Sequence, residues 1–299
     1  MSTPADVIRL PRPPSRLAAL NRFRLGDVPI IPMGILATIA FVAIFANVLA
    51  PHNPEVGTLT ARFKPPFWLK GGSTEYLLGT DQLGRDVLSR LIFGARVSMV
   101  VGFTAVIFSG VVGTTLGIMS GYLGGWVDQV VMRLTDTWLA LPALTFAIFL
   151  AAIVGPSMWN IVLILGITYW TRYARVTRGE VLSLKEREFV RLAIVAGCSK
   201  FTIMLRHILP NILNTAIVLG TLELGVVIIA EATLSFLGVG VPPPEPAWGL
   251  MLSDGKQGLM VGYWWLTVFP GLCIVLMVLS ANLLGDWLRI KLDPQLRQL

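Results

Sequence analysis

The 299 residues are 55% hydrophobic and only 14% charged, with 24 Lys and Arg against 17 Asp and Glu, a net charge of +7 and a mean hydropathy of +0.73. Soluble domains carry about a quarter charged residues, so these figures argue against a water-soluble globule, and so apolar a chain has too much surface to bury to stay disordered. Cys198 and Cys273 form no CxxC pair, and His52 and His207 stand in no HExxH or acidic cluster, which leaves neither a disulfide framework nor a metal centre to expect.

A helix crossing a hydrocarbon core of roughly 30 Å needs about 20 mostly apolar residues. Residues 1–27 form a basic, Pro-containing leader with Arg9, Arg12, Arg16, Arg22 and Arg24. Residues 28–50 follow without a charge, too long an apolar run for a signal peptide, and predict a first, uncleaved transmembrane helix. An outer loop is expected over 51–96. From Val97 to about Ser120 a second span is predicted, in which Gly113, Gly117 and Gly121 recur every fourth residue and let another helix approach closely.

No charge occurs from Thr137 to Thr171, a stretch roughly 50 Å long as one helix, so the chain must turn within it. Gly155-Pro156-Ser157 supplies that turn and predicts a third span near Leu134–Val154 and a fourth near Met158–Arg178. The fourth ends in Arg172, Arg175 and Arg178, cations that suit a helix C-terminus and can snorkel to headgroups. A fifth span over Ile212–Leu237 and a sixth over Val261–Gly285 complete an all-α integral membrane protein, its five-helix core over 97–290 and a short tail over 291–299. An even number of spans puts both termini on one side, and the leader, Arg133, the Arg172–Arg206 segment and the tail bring seventeen Lys and Arg there against seven opposite. The positive-inside rule makes that side cytoplasmic. Topology thereby accounts for the basic balance, and no nucleic-acid module accompanies it.

Three segments are more specific than spanning requires. Gly79-Thr80-Asp81-Gln82-Leu83-Gly84-Arg85-Asp86 spaces its glycines as a phosphate loop does, but Arg85-Asp86 stands where Lys and Ser or Thr are needed. No other such loop occurs, so any ATP-driven step belongs to a different polypeptide. Residues 186–210 are too charged to cross and predict a helix, a turn at Gly197, a second helix capped by Ser199, and Pro210 at the start of the fifth span. Apolar side chains among cations there suit a groove on a partner or the bilayer surface. The Pro-rich outer loop over 238–260, with Pro243 and Trp248, predicts either a stiff cap or a plain turn whose aromatic residues anchor at the interface.

Ala193, Gly197 and Leu209-Pro210 have a spacing that resembles the EAA signature of binding-protein-dependent ABC importer permeases, with Arg191 and Leu192 departing from its Glu and Ala and His207 from its usual Ile. Arg206-His207-Ile208-Leu209-Pro210-Asn211 resembles the peptide branch of that family, as do Gly79–Arg96 and Leu234–Gly249; together they are similar to the C-type permease of dipeptide, oligopeptide and nickel importers. The resemblance implies a type I importer permease fold, a second permease subunit, two ATP-binding subunits that hold ATP and Mg, and a periplasmic or extracellular substrate-binding protein. The permease itself would bind no cofactor, carry out no covalent chemistry, and sit in the bacterial inner membrane. It further implies that Arg191, Leu192, Ala193, Gly197, Ser199, His207 and Pro210 contact the ATPase, and that Asp81, Arg85, Asp86, Pro243 and Trp248 lie toward the outer mouth. Glu223 and Glu231, eight residues apart inside the fifth span, are expected either to line the translocation path or to be hydrogen-bonded within the bundle. The substrate expected is a di- or oligopeptide, with nickel or another small solute as the alternative. A secondary transporter using the two glutamates as a proton relay is the competing class, and a membrane hydrolase lacks any GxSxG.

Overall fold

The computed structural model describes residues 29–292, so the basic leader and the last seven residues lie outside the described residues. Every regular element within them is helical, and pairing of extended chain is confined to an isolated bridge between Thr80 and Asp86. In chain order they include α1 (Ile30–Ile44), α2 (Val87–Leu123), α3 (Gly125–Ala140), α4 (Ala143–Val154), α5 (Met158–Leu184), α6 (Glu188–Val195), α7 (Leu209–Phe236), α8 (Trp248–Leu259) and α9 (Trp265–Leu292). After Phe45, α1 is prolonged by one helical turn over Ala46–Leu49. The helices α2, α9 and the run Lys200–Phe236 are each long and apolar enough to cross a membrane.

Packing follows the small residues. A Cβ on Gly113 would lie 2.2 Å from the Trp170 carbonyl oxygen, one on Gly117 2.7 Å from the Ala174 carbonyl oxygen, and one on Gly121 2.8 Å from Val181 Cβ. The four-residue glycine spacing is therefore the face on which α5 lies directly against α2, backbone to backbone. Around this pair α7 packs on α2 and α9, with Val101, Ala105, Ile161, Leu165, Val227, Ile228, Met277 and Ala281 buried between them. Outward stripes such as Val268, Leu272, Val275 and Leu279 on α9 stay exposed, as a bilayer or a neighbouring subunit permits.

Three expectations change. The segment 51–96 is not loop throughout, because Asp86 caps α2 by accepting from the Ser89 N–H at 2.8 Å and the helix starts at Val87. The expected third span bends by 91° between α3 and α4, where Leu141 is extended before Pro142, the conformation that a following proline imposes. The helix expected after Gly197 is no separate element. It begins at Lys200, passes through a π-helical stretch over Ile203–Ile208, and runs on as α7. Pro210 has no N–H to offer, and the wider turn before it, with the Leu209 N–H bonded to the Met204 carbonyl, accommodates its ring without ending the helix.

Candidate functional site

At one end of the bundle α6 lies across the base of α7. Val190 and Ala193, three residues apart, point inward onto Ile203, Ile208 and Ile212, where Ile118 of α2 and Val181 of α5 complete a small buried cluster. The same helix turns Leu192 (67% exposed) and Val195 (85% exposed) outward, with Phe189 and Ile194 also uncovered and Phe201 (67% exposed) beside them. Gly197 closes α6 at φ +76, a conformation glycine adopts without strain, and the Ser199 hydroxyl accepts from the Thr202 N–H at 3.2 Å to start the next helix. Arg191 is exposed and pairs with Glu186 at 2.7 Å, and Pro210 is exposed one turn above the π-helical stretch. His207 is half-buried, its carbonyl accepting from the Asn211 side chain. Ala193 alone of the seven coupling residues is buried, as the seat of α6. What remains is an apolar patch that water disfavours and that a groove on another protein would cover.

Three arginines of α5 are paired across helices. Arg172 donates to Glu223 on α7 at 2.9 Å, Arg175 pairs with Asp136 on α3, and Arg178 grips Asp128 on α3 through Nε and Nη2. These arginines belong to ion pairs between helices rather than to a snorkelling helix end, because α5 runs on two turns to Leu184. Glu223 is buried, while the Arg172 side chain is 54% exposed. Glu231 is enclosed and accepts from Ser98 on α2 at 3.2 Å and from Ser235 at 2.8 Å. Ser235 in turn accepts from the Val241 N–H, so this carboxylate is joined to α2 and to the Pro-rich loop. The two glutamates have separate partners.

At the opposite end, Asp81, Arg85, Asp86 and Arg90 are all buried. Asp81 accepts from the Leu83 and Arg85 backbone N–H groups and from Arg85 Nε at 2.6 Å, while Arg85 and Arg90 reach Asp254 on α8 at 3.3 and 3.6 Å. Burial pushes the Asp254 carboxyl above the usual carboxylate range, against the pull of Arg90 and Arg85. Trp248 is also buried, its ring against Gly94 and its indole N–H donating to the Leu91 carbonyl at 3.0 Å. Of the outer-mouth residues, then, Asp81, Arg85, Asp86 and Trp248 hold the cap together from within, and Pro243 is exposed on the surface. Asp254, Arg90, Ser98 and Asp128 escaped the sequence reading. The signal available was their charge or hydroxyl beside an apolar helix, with nothing to name the distant partner.

Comparison with known proteins assigns residues 113–298 to a family described as binding-protein-dependent transport system inner membrane component. The dipeptide transport system permease protein DppC of Escherichia coli is 43% identical over 297 residues, 99% of each chain. That of Haemophilus influenzae is 42% identical over 276 residues, 92% of this chain and 93% of the relative. The di/tripeptide transport system permease protein DppC of Pseudomonas aeruginosa is 41% identical over 259 residues, 87% of this chain and 85% of the relative.

Proposed function

Since the chain belongs to the family of binding-protein-dependent transport system inner membrane components, we propose that it is the C-type permease subunit of an ATP-binding-cassette importer that moves di- or oligopeptides across the bacterial inner membrane. The dipeptide and di/tripeptide names of its relatives favour peptides over nickel or another small solute. The pairing of Glu223 with Arg172 and of Glu231 with Ser98 and Ser235 weighs against a proton relay through the two carboxylates.

Six crossings are assigned: α1 with its added turn, α2, the bent pair α3 and α4, α5, α7 and α9, with both termini cytoplasmic. A second permease completes the path, two ATP-binding subunits carry ATP and Mg, and a substrate-binding protein delivers peptide from outside. The observation that carries the reading is the exposed row Phe189, Leu192 and Val195 on a short helix anchored by Val190 and Ala193, with Phe201 exposed beside it on the next helix. Such a knob fits an ATPase groove, and its attachment to the base of α7 lets closure of the ATPases shift the balance between an outward-open and an inward-open packing. Arg191, Leu192, Gly197, Ser199, His207 and Pro210 surround that contact. The permease contributes binding surfaces and motion, while bond breaking stays with ATP on its partners.

The test is uptake of labelled di- and tripeptides by vesicles containing this chain with its copurifying partners. ATP-dependent accumulation is expected, with none of nickel. Accumulation that persists without an ATPase subunit would sink the reading.

A further inference from the structure

On α5, Arg172, Val176, Glu180 and Ser183 follow one another at intervals of three or four residues and so form a single stripe, and Arg187 lies beyond the helix end, in the extended residue that opens α6. Beyond Arg172, toward the α6 end, this stripe faces α7 across a cavity of about 730 Å³. Its walls include Val176 and Glu180 from α5, Arg187 from the turn before α6, Asn214 and Thr215 from α7, and Arg289 from α9. A second cleft, of about 880 Å³, lies between α2 and α7, but its lining is largely apolar and holds hydroxyl groups without a charged side chain. The α5–α7 cavity differs in carrying charge that the fold itself leaves unused.

Glu180 has no cationic partner. Its Oε1 accepts from the Thr215 hydroxyl at 3.1 Å, and its Oε2 has no hydrogen-bond partner. The guanidinium groups of Arg187 and Arg289 form no ion pair among the described residues. One unpaired carboxylate and two unpaired guanidiniums around one gap are complementary to a zwitterion. Glu180 from within α5 and Arg187 from beyond its end both line the gap, with Arg289 from α9. The volume also falls within the range of about 300–1,000 Å³ that small-ligand sites occupy. Arg187 and Arg289 are exposed to solvent, where ion pairs are weak. Weak retention suits a place from which cargo must leave.

We propose that this cavity holds the transported peptide in the inner half of the path, Glu180 taking its α-ammonium and Arg187 with Arg289 its α-carboxylate. The assignment rests on the peptide-import reading and adds to it where the cargo stands before release and which chemistry holds it there.

The experiment uses the complete complex, without nucleotide, in a Cys198→Ser and Cys273→Ala background carrying Asn214→Cys on the α7 wall. A membrane-impermeant maleimide is supplied from the α6 side, and the modification rate is followed with trialanine, N-acetyl-trialanine or trialanine amide present. Free trialanine is expected to slow modification at least fivefold and either capped form less than twofold. Adding Glu180→Gln should remove the difference between the free and N-acetylated peptides, and Glu180→Asp should restore part of it. Where Asn214→Cys does not assemble, Asn211→Cys on the same wall takes its place. A cysteine that does not react, or equal protection by free and capped peptides, overturns the proposal. Those results alongside normal ATP-dependent uptake of trialanine leave the import reading standing, whereas absence of that uptake in the unsubstituted complex overturns the reading itself.

Discussion

Around Thr80–Arg90 the chain withdraws two aspartates and two arginines from water, whereas around Phe189–Phe201 it leaves leucine, isoleucine, valine and phenylalanine in it. Each arrangement inverts the ordinary partition of polar and apolar groups. The first is paired within itself: Asp81, Arg85, Arg90 and Asp254 meet one another, and Trp248 and Trp265 donate to carbonyls at Leu91 and Thr80. The second is open, satisfied inward through Val190 and Ala193 and outward by nothing among the described residues. A buried charge network resists change because removal of any member strands the rest. An uncovered apolar patch costs the isolated subunit little rigidity and reserves its free energy for assembly.

If that contrast is right, substitutions in the two regions should separate stability from assembly. The largest effect is expected for Arg90→Ala, which leaves Asp81 and Asp254 short of a buried partner; a loss of about 3–5 kcal/mol, read as a collapse in thermal stability and yield of the purified complex, is anticipated. Trp248→Phe keeps a ring against Gly94 but removes the indole N–H that donates to the Leu91 carbonyl, which retains its place in the α2 ladder, and calorimetry or denaturant titration should register about 0.5–1.5 kcal/mol. Asp254→Asn sharpens the electrostatic half of the comparison. A carboxyl raised in the folded state contributes stability that is present below its unfolded value and lost as pH rises through the folded one, so the wild type gains on this variant as pH falls. The deficit of the variant should therefore be smallest at alkaline pH, and melting curves at several pH values would contradict the assignment if it shrank on acidification. In the open region Leu192→Asp should leave melting unchanged yet reduce ATPase copurification at least tenfold, a combination no cap variant should give. Arg191→Ala, which removes an exposed pair with Glu186 at the rim of that contact, should leave melting unchanged and lower copurification by less than Leu192→Asp does.

What could be read in the sequence was local. The glycine spacing at Gly113, Gly117 and Gly121, the turn at Gly155-Pro156-Ser157, the glycine stop at Gly197 and the serine cap at Ser199 each declare a backbone need within one or two turns, and each reappears in the fold. What escaped was set by partners far along the chain. Arg172 is 51 residues from Glu223 and Arg85 169 from Asp254, and no periodicity announces such a meeting. The Pro142 bend escaped for a different reason: an apolar run looks the same whether it crosses straight or breaks, and a proline inside a helix is tolerated elsewhere in this chain, at Pro270. For the coupling segment, residue types predicted the surface, but the merger of its second helix with α7 depended on how a π-helical stretch absorbs Pro210.

That merger has a mechanical consequence. From Lys200 to Phe236 the helix is 37 residues long, about 55 Å, with Ile203 and Ile208 seated under α6 at one end and Glu231 and Ser235 tied to α2 and the Pro-rich loop at the other. It is a lever with a handle at each end. A tilt of about 5° pivoting near one handle displaces the other by roughly 5 Å, more than the width of a water molecule, without stretching a single backbone hydrogen bond.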